Sequence, residues 1–204
     1  SRGLGDVYKR QDVVQNAVDA GLTLIAAANT SLSADLTTLQ NQLQQLDTSS
    51  DTAAIKQAMV ARLTALADRQ GKVAANATSL ADTLTRLQAS LNKLTGKDDQ
   101  PLAGAITRLR DVATTATAVQ TAASDLAKDV PNLSTNELQS RLATLNDVAQ
   151  KFASDANTLK DLDLGTSVKQ VLNAFKAALA DAATTLTKIC LLYTSPSPRD
   201  VEES

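Results

Sequence analysis

Apolar residues recur along this 204-residue chain at intervals that alternate between four and three positions. The pattern runs through five segments, which are residues 18–46, 59–94, 109–130, 138–159 and 168–189. Such spacing places the apolar residues of each segment on one narrow stripe of an α-helix, which we call the seam of that helix. No stretch alternates apolar and polar residues with a period of two. The sequence therefore predicts an all-α protein of five helices.

Short breaks separate the five seams. The stretches TSSD (48–51) and TGKDDQ (95–100) supply N-cap candidates and a helix-terminating glycine. Pro131 ends the third helix, and the S-x-x-E motif at residues 134–137 predicts a capping box for the fourth. The segment DLDLG (161–165) precedes the fifth helix.

These breaks predict how the helices are grouped. Short connections between long helices favour antiparallel neighbours. We therefore expect a long helical hairpin over residues 12–95, followed by a three-helix bundle over residues 101–189, with coiled-coil-like packing. Asn29 and Gln70 interrupt their seams, and we interpret them as fixing helix register at some cost in stability, with a buried polar ligand site as the alternative. The alanine-rich third seam predicts that a neighbouring helix approaches closely.

The residue types present argue against most kinds of active site. The chain has no His and its only Cys is Cys190, so the commonest general base, the thiol nucleophile and the usual zinc ligands are missing from the rest of the chain. Asp161 and Asp163 resemble the start of a calcium loop but lack the third oxygen ligand and the distant Glu. Arg108 and Arg110 adjoin an acid and have no interleaved aromatic residue. We predict no enzyme activity, no catalytic residue, no cofactor and no metal.

Charge and hydropathy narrow the possible partners. Twenty basic and 22 acidic residues give a formal net charge of −2, with both signs scattered along the chain. This balance offers no patch for nucleic acid or for an anionic membrane. The longest apolar run, LTLIAAA (22–28), is too short to span a bilayer. We expect a protein partner or self-association through the seams, no nucleic acid, and no membrane span except in flanking sequence.

The two ends of the chain encode opposite strands of one DNA sequence. SRGLGDVYKRQ (1–11) can be written in codons whose reverse complement, read from its second base, translates as CLLYTSPSPR and then a codon open to Asp, which reproduces residues 190–200. This DNA resembles the adapter added by transposase-based sequencing-library preparation. We interpret residues 1–11 and 190–204 as adapter-derived and exclude them from fold reasoning. Residues 12–189 are then expected to be a fragment of a longer, metagenomic reading frame.

Two segments, NTSLSADLTTLQNQLQQL (29–46) and ATSLADTLTRLQASLNKL (77–94), resemble the extracytoplasmic coiled-coil region of phage-infection-protein (Pip-type) bacterial membrane proteins. The resemblance implies a surface partner and a location in the cell envelope. The leading hypothesis is a non-catalytic coiled-coil spacer or interaction segment of an extracytoplasmic bacterial protein, either in the envelope or secreted. The alternatives are a filamentous phage tail-type structural protein and a sensory coiled coil that relays a signal.

Overall fold

The computed structural model describes the backbone of residues 2–194 and the side chains of residues 9–192, and within those bounds it has five α-helices and no strand. The helices are α1 (Arg2–Leu46), α2 (Thr52–Thr95), α3 (Ala103–Asp129), α4 (Thr135–Asp161) and α5 (Leu164–Thr194), and a 3-10 turn, Val130–Asn132, lies between α3 and α4. The all-α prediction is confirmed.

The segments interpreted as adapter-derived lie partly outside the residues that the structure describes. Residues 2–11 prolong α1 and residues 190–194 prolong α5. Ser1 and residues 195–204 lie outside the described residues. Where the backbone is described, these terminal segments continue the adjacent helices.

The helix ends use the capping groups that the sequence indicates. The Asp51 side chain accepts a hydrogen bond from the Ala54 amide at the start of α2, and Gly96 ends that helix with a left-handed φ of 69°. A residue with a Cβ adopts this φ at a cost, so glycine suits the position. Ser134 and Glu137 form the complete capping box of α4, since each side chain accepts a hydrogen bond from the other residue's amide. The predicted breaks are therefore confirmed at these positions.

Helices α1 to α4 form a ring in which each helix packs against two others. The neighbouring pairs are α1 with α2, α2 with α3, α3 with α4, and α4 with α1. Side-chain contacts show that consecutive helices are antiparallel, because residues late in one helix meet residues early in the next. Examples are Arg110 with Asp82 across α3 and α2, and Arg141 with Asp129 across α4 and the end of α3. The arrangement is an up-and-down four-helix bundle.

In this bundle the predicted hairpin of α1 and α2 shares one core with the helices that follow it. Helix α2 buries a second apolar line beside its predicted seam, formed by Ala67, Ala74 and Ala81 at intervals of seven residues. With two apolar lines, α2 packs against α1 and α3 at once, so one continuous core crosses the predicted boundary near residue 100. Helix α5 packs mainly against α1 and α2, at the end of the bundle where α4 stops.

The predicted close approach at the third seam is confirmed. Helices α2 and α3 have the most extensive close backbone approach of any pair. Small side chains make this possible, because Ala105, Ala116 and Ala123 of α3 and the alanine line of α2 are all buried. Leucine, valine and Phe152 fill the wider parts of the core, and the seam residue Leu84 is fully buried. Burial of each such leucine contributes about 1.5–3 kcal/mol to folding.

Helix α5 is covered along only the first half of its seam. Its first turns bury Leu164, Val168, Val171 and Leu172. Further along, Phe175 is only partly buried, and Leu186 is 63% exposed. The fifth seam is therefore correct in its spacing, but the described residues cover its second half only in part.

Candidate functional site

The residues whose chemistry was weighed from the sequence lie apart from one another on the surface. Asp161 and Asp163 are exposed in the turn between α4 and α5, where Asp163 adopts a φ of 46° and its carbonyl accepts a hydrogen bond from the Ser167 amide. Arg110 pairs with Asp82 at 3.2 Å, and Arg108 lies 3.7 Å from Asp111. These are surface ion pairs, which contribute little to stability.

Metal binding has no support in the part of the chain that the structure describes. No group of three or more His, Cys, Asp or Glu side chains is positioned to hold a metal ion among those residues. Similarly, no helix in the described range is long and apolar enough to cross a membrane.

The most concentrated charge in the interior is a cluster that sequence reasoning missed. Asp35 of α1 is 6% exposed and accepts hydrogen bonds from two arginines of α2. Arg62 Nη1 lies 3.0 Å from Asp35 Oδ1, and Arg69 Nη2 contacts the second carboxylate oxygen. A carboxylate held by two guanidinium groups is strongly oriented, because each oxygen has its own charged donor. We call this group the Asp35 cluster.

A heptad signal could have revealed this cluster. Asp35 follows buried Ala28 by seven residues, and Arg62 precedes Arg69 by seven residues. These positions flank the seams of α1 and α2, where oppositely charged residues pair across a coiled-coil interface. The cluster therefore joins α1 to α2 in one register.

The two polar residues that interrupt seams lie at one level of the bundle. The contacts of Asp35 with Arg62 and of Gly21 with Asn76 set the α1–α2 register, which brings Asn29 level with Gln70. Gln70 is 1% exposed, and its Oε1 accepts no hydrogen bond from the described residues. A buried unsatisfied carbonyl is costly. Asn29 is only partly buried and lines a groove between α1 and α4.

A second groove lies further along the α1–α4 interface. It has a volume of about 520 Å³, with Leu36 and Leu142 among its walls. Its polar lining has no ionisable side chain and consists of Ser33, Thr37, Gln40, Asn41, Gln139 and Asn146. This lining can exchange hydrogen bonds with neutral groups, but it places no acid or base beside the Ser33 and Thr37 hydroxyls to activate them as nucleophiles.

One carboxyl group has a clearly shifted pKa. Hydrogen bonds from the backbone amide and side chain of Ser134 lower the pKa of Glu137 below its ordinary value of 4.5. The cause is the capping box, which favours the ionised carboxylate. The shift therefore arises at a helix end on the surface.

Comparison with protein-family models, with curated proteins and with solved structures gives no match for this chain.

Proposed function

We propose that this chain is a non-catalytic helical spacer and interaction segment of a larger extracytoplasmic bacterial protein. The observation that supports this most directly is the continuous core that joins α1 to α4 along their length. At about 1.5 Å per residue, the 44 residues of α2 extend over roughly 65 Å. Four antiparallel helices of this kind resist bending together, because each seam is held by its neighbours.

The polar groups of the bundle also fit a structural role. The Asp35 cluster joins α1 to α2, and the capping box fixes the start of α4. Both arrangements hold helices in place, and both are explained without a substrate. A spacer needs this kind of positional definition, since its task is to keep attached parts at a set distance.

The location and the kind of partner are part of the same proposal. The resemblance of residues 29–46 and 77–94 to the coiled-coil region of Pip-type proteins supports an envelope location with a surface partner. The surface, rich in Thr, Ser, Asn and Gln, is compatible with that setting. A protein partner or a second copy fits better than nucleic acid, because the net charge of −2 is spread over both signs.

Small-angle X-ray scattering tests the spacer role. The proposal predicts a rod whose maximum dimension is at least roughly 65 Å and does not change with ionic strength, because the core is apolar. The measurement should be made at low protein concentration, so that it describes the single chain. A compact sphere, or a dimension that varies with salt, would contradict a rigid spacer.

A further inference from the structure

The second half of α5 presents an apolar line that the described bundle covers only in part, since Phe175, Leu179 and Ala182 are partly buried and the residues beyond them are exposed. We call it the α5 stripe, and it consists of Phe175, Leu179, Ala182, Leu186 and Ile189. Leu186 is 63% exposed and Ile189 is 44% exposed. The stripe continues, at the same alternating spacing, the line of Val168 and Leu172 that is buried within the chain. A leucine line of this kind is stable in water only against another apolar face.

We propose that the α5 stripe binds the α5 stripe of a second copy of this chain, with the two helices antiparallel. The proposal rests on the interaction role proposed above and specifies its partner. In the antiparallel register centred on residue 184, Leu179 of one copy meets Ile189 of the other. Ala182 then meets Leu186 of the second copy. Ala182, the small residue of the overlap, thus faces a leucine, which avoids a void at that layer.

A parallel pairing of the same helices packs less well. It would place Ala182 against Ala182 and Leu186 against Leu186 in successive layers. The alanine layer would require the two helix axes to lie close together, and the leucine layer would require them to lie further apart. No single separation suits both layers. Coiled-coil packing requires near-constant spacing between axes, so the antiparallel arrangement is favoured.

Charges near the stripe are compatible with the antiparallel pair. Asp181 and Lys188 are the only charged residues between positions 179 and 189. In the register centred on residue 184, Asp181 of one copy lies at the level of Lys188 of the other, on the same side of the helix pair. Parallel pairing would instead put Asp181 level with Asp181. The flanking residues Ala178, Ala183 and Thr185 are small and let the helices approach closely.

The size of this interface predicts its strength. The overlap from Leu179 to Ile189 covers 11 residues, or roughly 16 Å of helix. Such a contact lies below the size of a standard stable interface, so the dimer should be weak and its population should depend on protein concentration.

Sedimentation equilibrium on the full chain, from about 1 µM to about 500 µM, tests the proposal because this range spans weak binding. We expect a monomer–dimer equilibrium that Leu186→Asp weakens by roughly a hundredfold or more, since both copies lose a buried leucine. Leu191→Asp is the matched control, because Leu191 is 61% exposed but lies outside the stripe. It should leave the equilibrium unchanged. Circular dichroism on both variants checks that the helices persist.

Three results would overturn the proposal. A monomer at every concentration would show that the α5 stripe does not bind a second copy. A dimer that Leu186→Asp does not weaken would place the contact elsewhere. Equal weakening by Leu186→Asp and Leu191→Asp would indicate nonspecific association of the helix end. A rod-shaped monomer in scattering would leave the spacer proposal standing in each of these cases, so the two failures are distinguishable.

Discussion

Arg62 and Asp35 join α2 to α1 through an ion pair of 3.0 Å in which the Asp35 side chain is 9% exposed. Arg69 contacts the other carboxylate oxygen, and both arginines keep more than a third of their side chains exposed. The carboxylate is therefore the buried member of the cluster. Its removal and the removal of its partners should have unequal effects on stability.

Removing both arginines should destabilise the bundle more than removing Asp35. Arg62→Ala with Arg69→Ala leaves a buried carboxylate uncompensated, and we expect a loss of about 2–4 kcal/mol in the free energy of unfolding. Asp35→Ala should cost only about 1–2 kcal/mol, because the arginines can turn toward water. Urea denaturation measures both values.

The exposed pair of Arg110 and Asp82 provides the control for that comparison. Asp82 is 51% exposed, so Asp82→Ala should change the unfolding free energy by about 0–1 kcal/mol. Equal effects of Asp35→Ala and Asp82→Ala would show that the Asp35 cluster is no more stabilising than a surface ion pair.

Gln70→Leu should increase stability while making the packing less specific. The change removes the unsatisfied Oε1 from the core, and we expect a gain of about 1–2 kcal/mol in thermal or urea unfolding. If Gln70 fixes the register, the variant should also show broadened amide resonances by NMR, as alternative packings become accessible. A variant that is less stable, or equally stable with unchanged spectra, would contradict this interpretation of the residue.

Two helix-interior glycines should respond differently to alanine. A Cβ at Gly21 would lie 2.3 Å from Leu80 Cδ1 and 2.7 Å from Asn76 Oδ1, where α1 and α2 meet. Gly21→Ala should therefore be destabilising by about 1–3 kcal/mol, as overpacking usually is. A Cβ at Gly71 meets the flexible end of Gln120 at 2.5 Å, and that end can move away.

Gly71→Ala should in consequence stabilise the chain by about 0.5–1 kcal/mol through helix propensity. Thermal unfolding of both variants and of the wild type checks these two expectations. The midpoint should fall for Gly21→Ala and rise for Gly71→Ala. Stabilisation by both substitutions would mean that α1 and α2 are not in the close contact seen at Gly21.

Acid should remove the contribution of the α4 capping box. Because the pKa of Glu137 is lowered on folding, its carboxylate stabilises the folded state fully above about pH 5. This contribution is lost as the pH falls below 4.5 and through the lowered pKa. The stability difference between the wild type and Glu137→Gln should be constant at neutral pH and shrink in acid. A difference that persists unchanged to about pH 3 would contradict the ionised capping box.

Much of the fold follows from the spacing of large apolar residues. Leu39, Leu84 and Phe152 are fully buried where their seams predict, because a period between three and four residues fixes one face of a helix. The helix ends could also be predicted from the sequence, because Gly96 and the Ser134–Glu137 motif act through local hydrogen bonds.

The grouping of the helices and the Asp35 cluster required the structure. Ala67, Ala74 and Ala81 look like ordinary helix residues until α3 packs on them, because alanine occurs on buried and exposed faces alike. Asp35 resembles any solvated aspartate until the α1–α2 register brings Arg62 and Arg69 to it. Both features depend on the choice of neighbouring helix, which a periodic pattern in one segment does not contain.

The closure of α4 onto α1 distinguishes one four-helix bundle from a hairpin with a separate three-helix unit. Gln40 of α1 and Gln139 of α4 are both exposed and line the same groove. Spin labels on Gln40→Cys and Gln139→Cys, in a Cys190→Ser background, report their separation by pulsed electron resonance. We predict one narrow distance distribution, set by neighbouring helix axes about 10 Å apart plus the label tethers. A broad distribution centred several nanometres away would contradict the bundle.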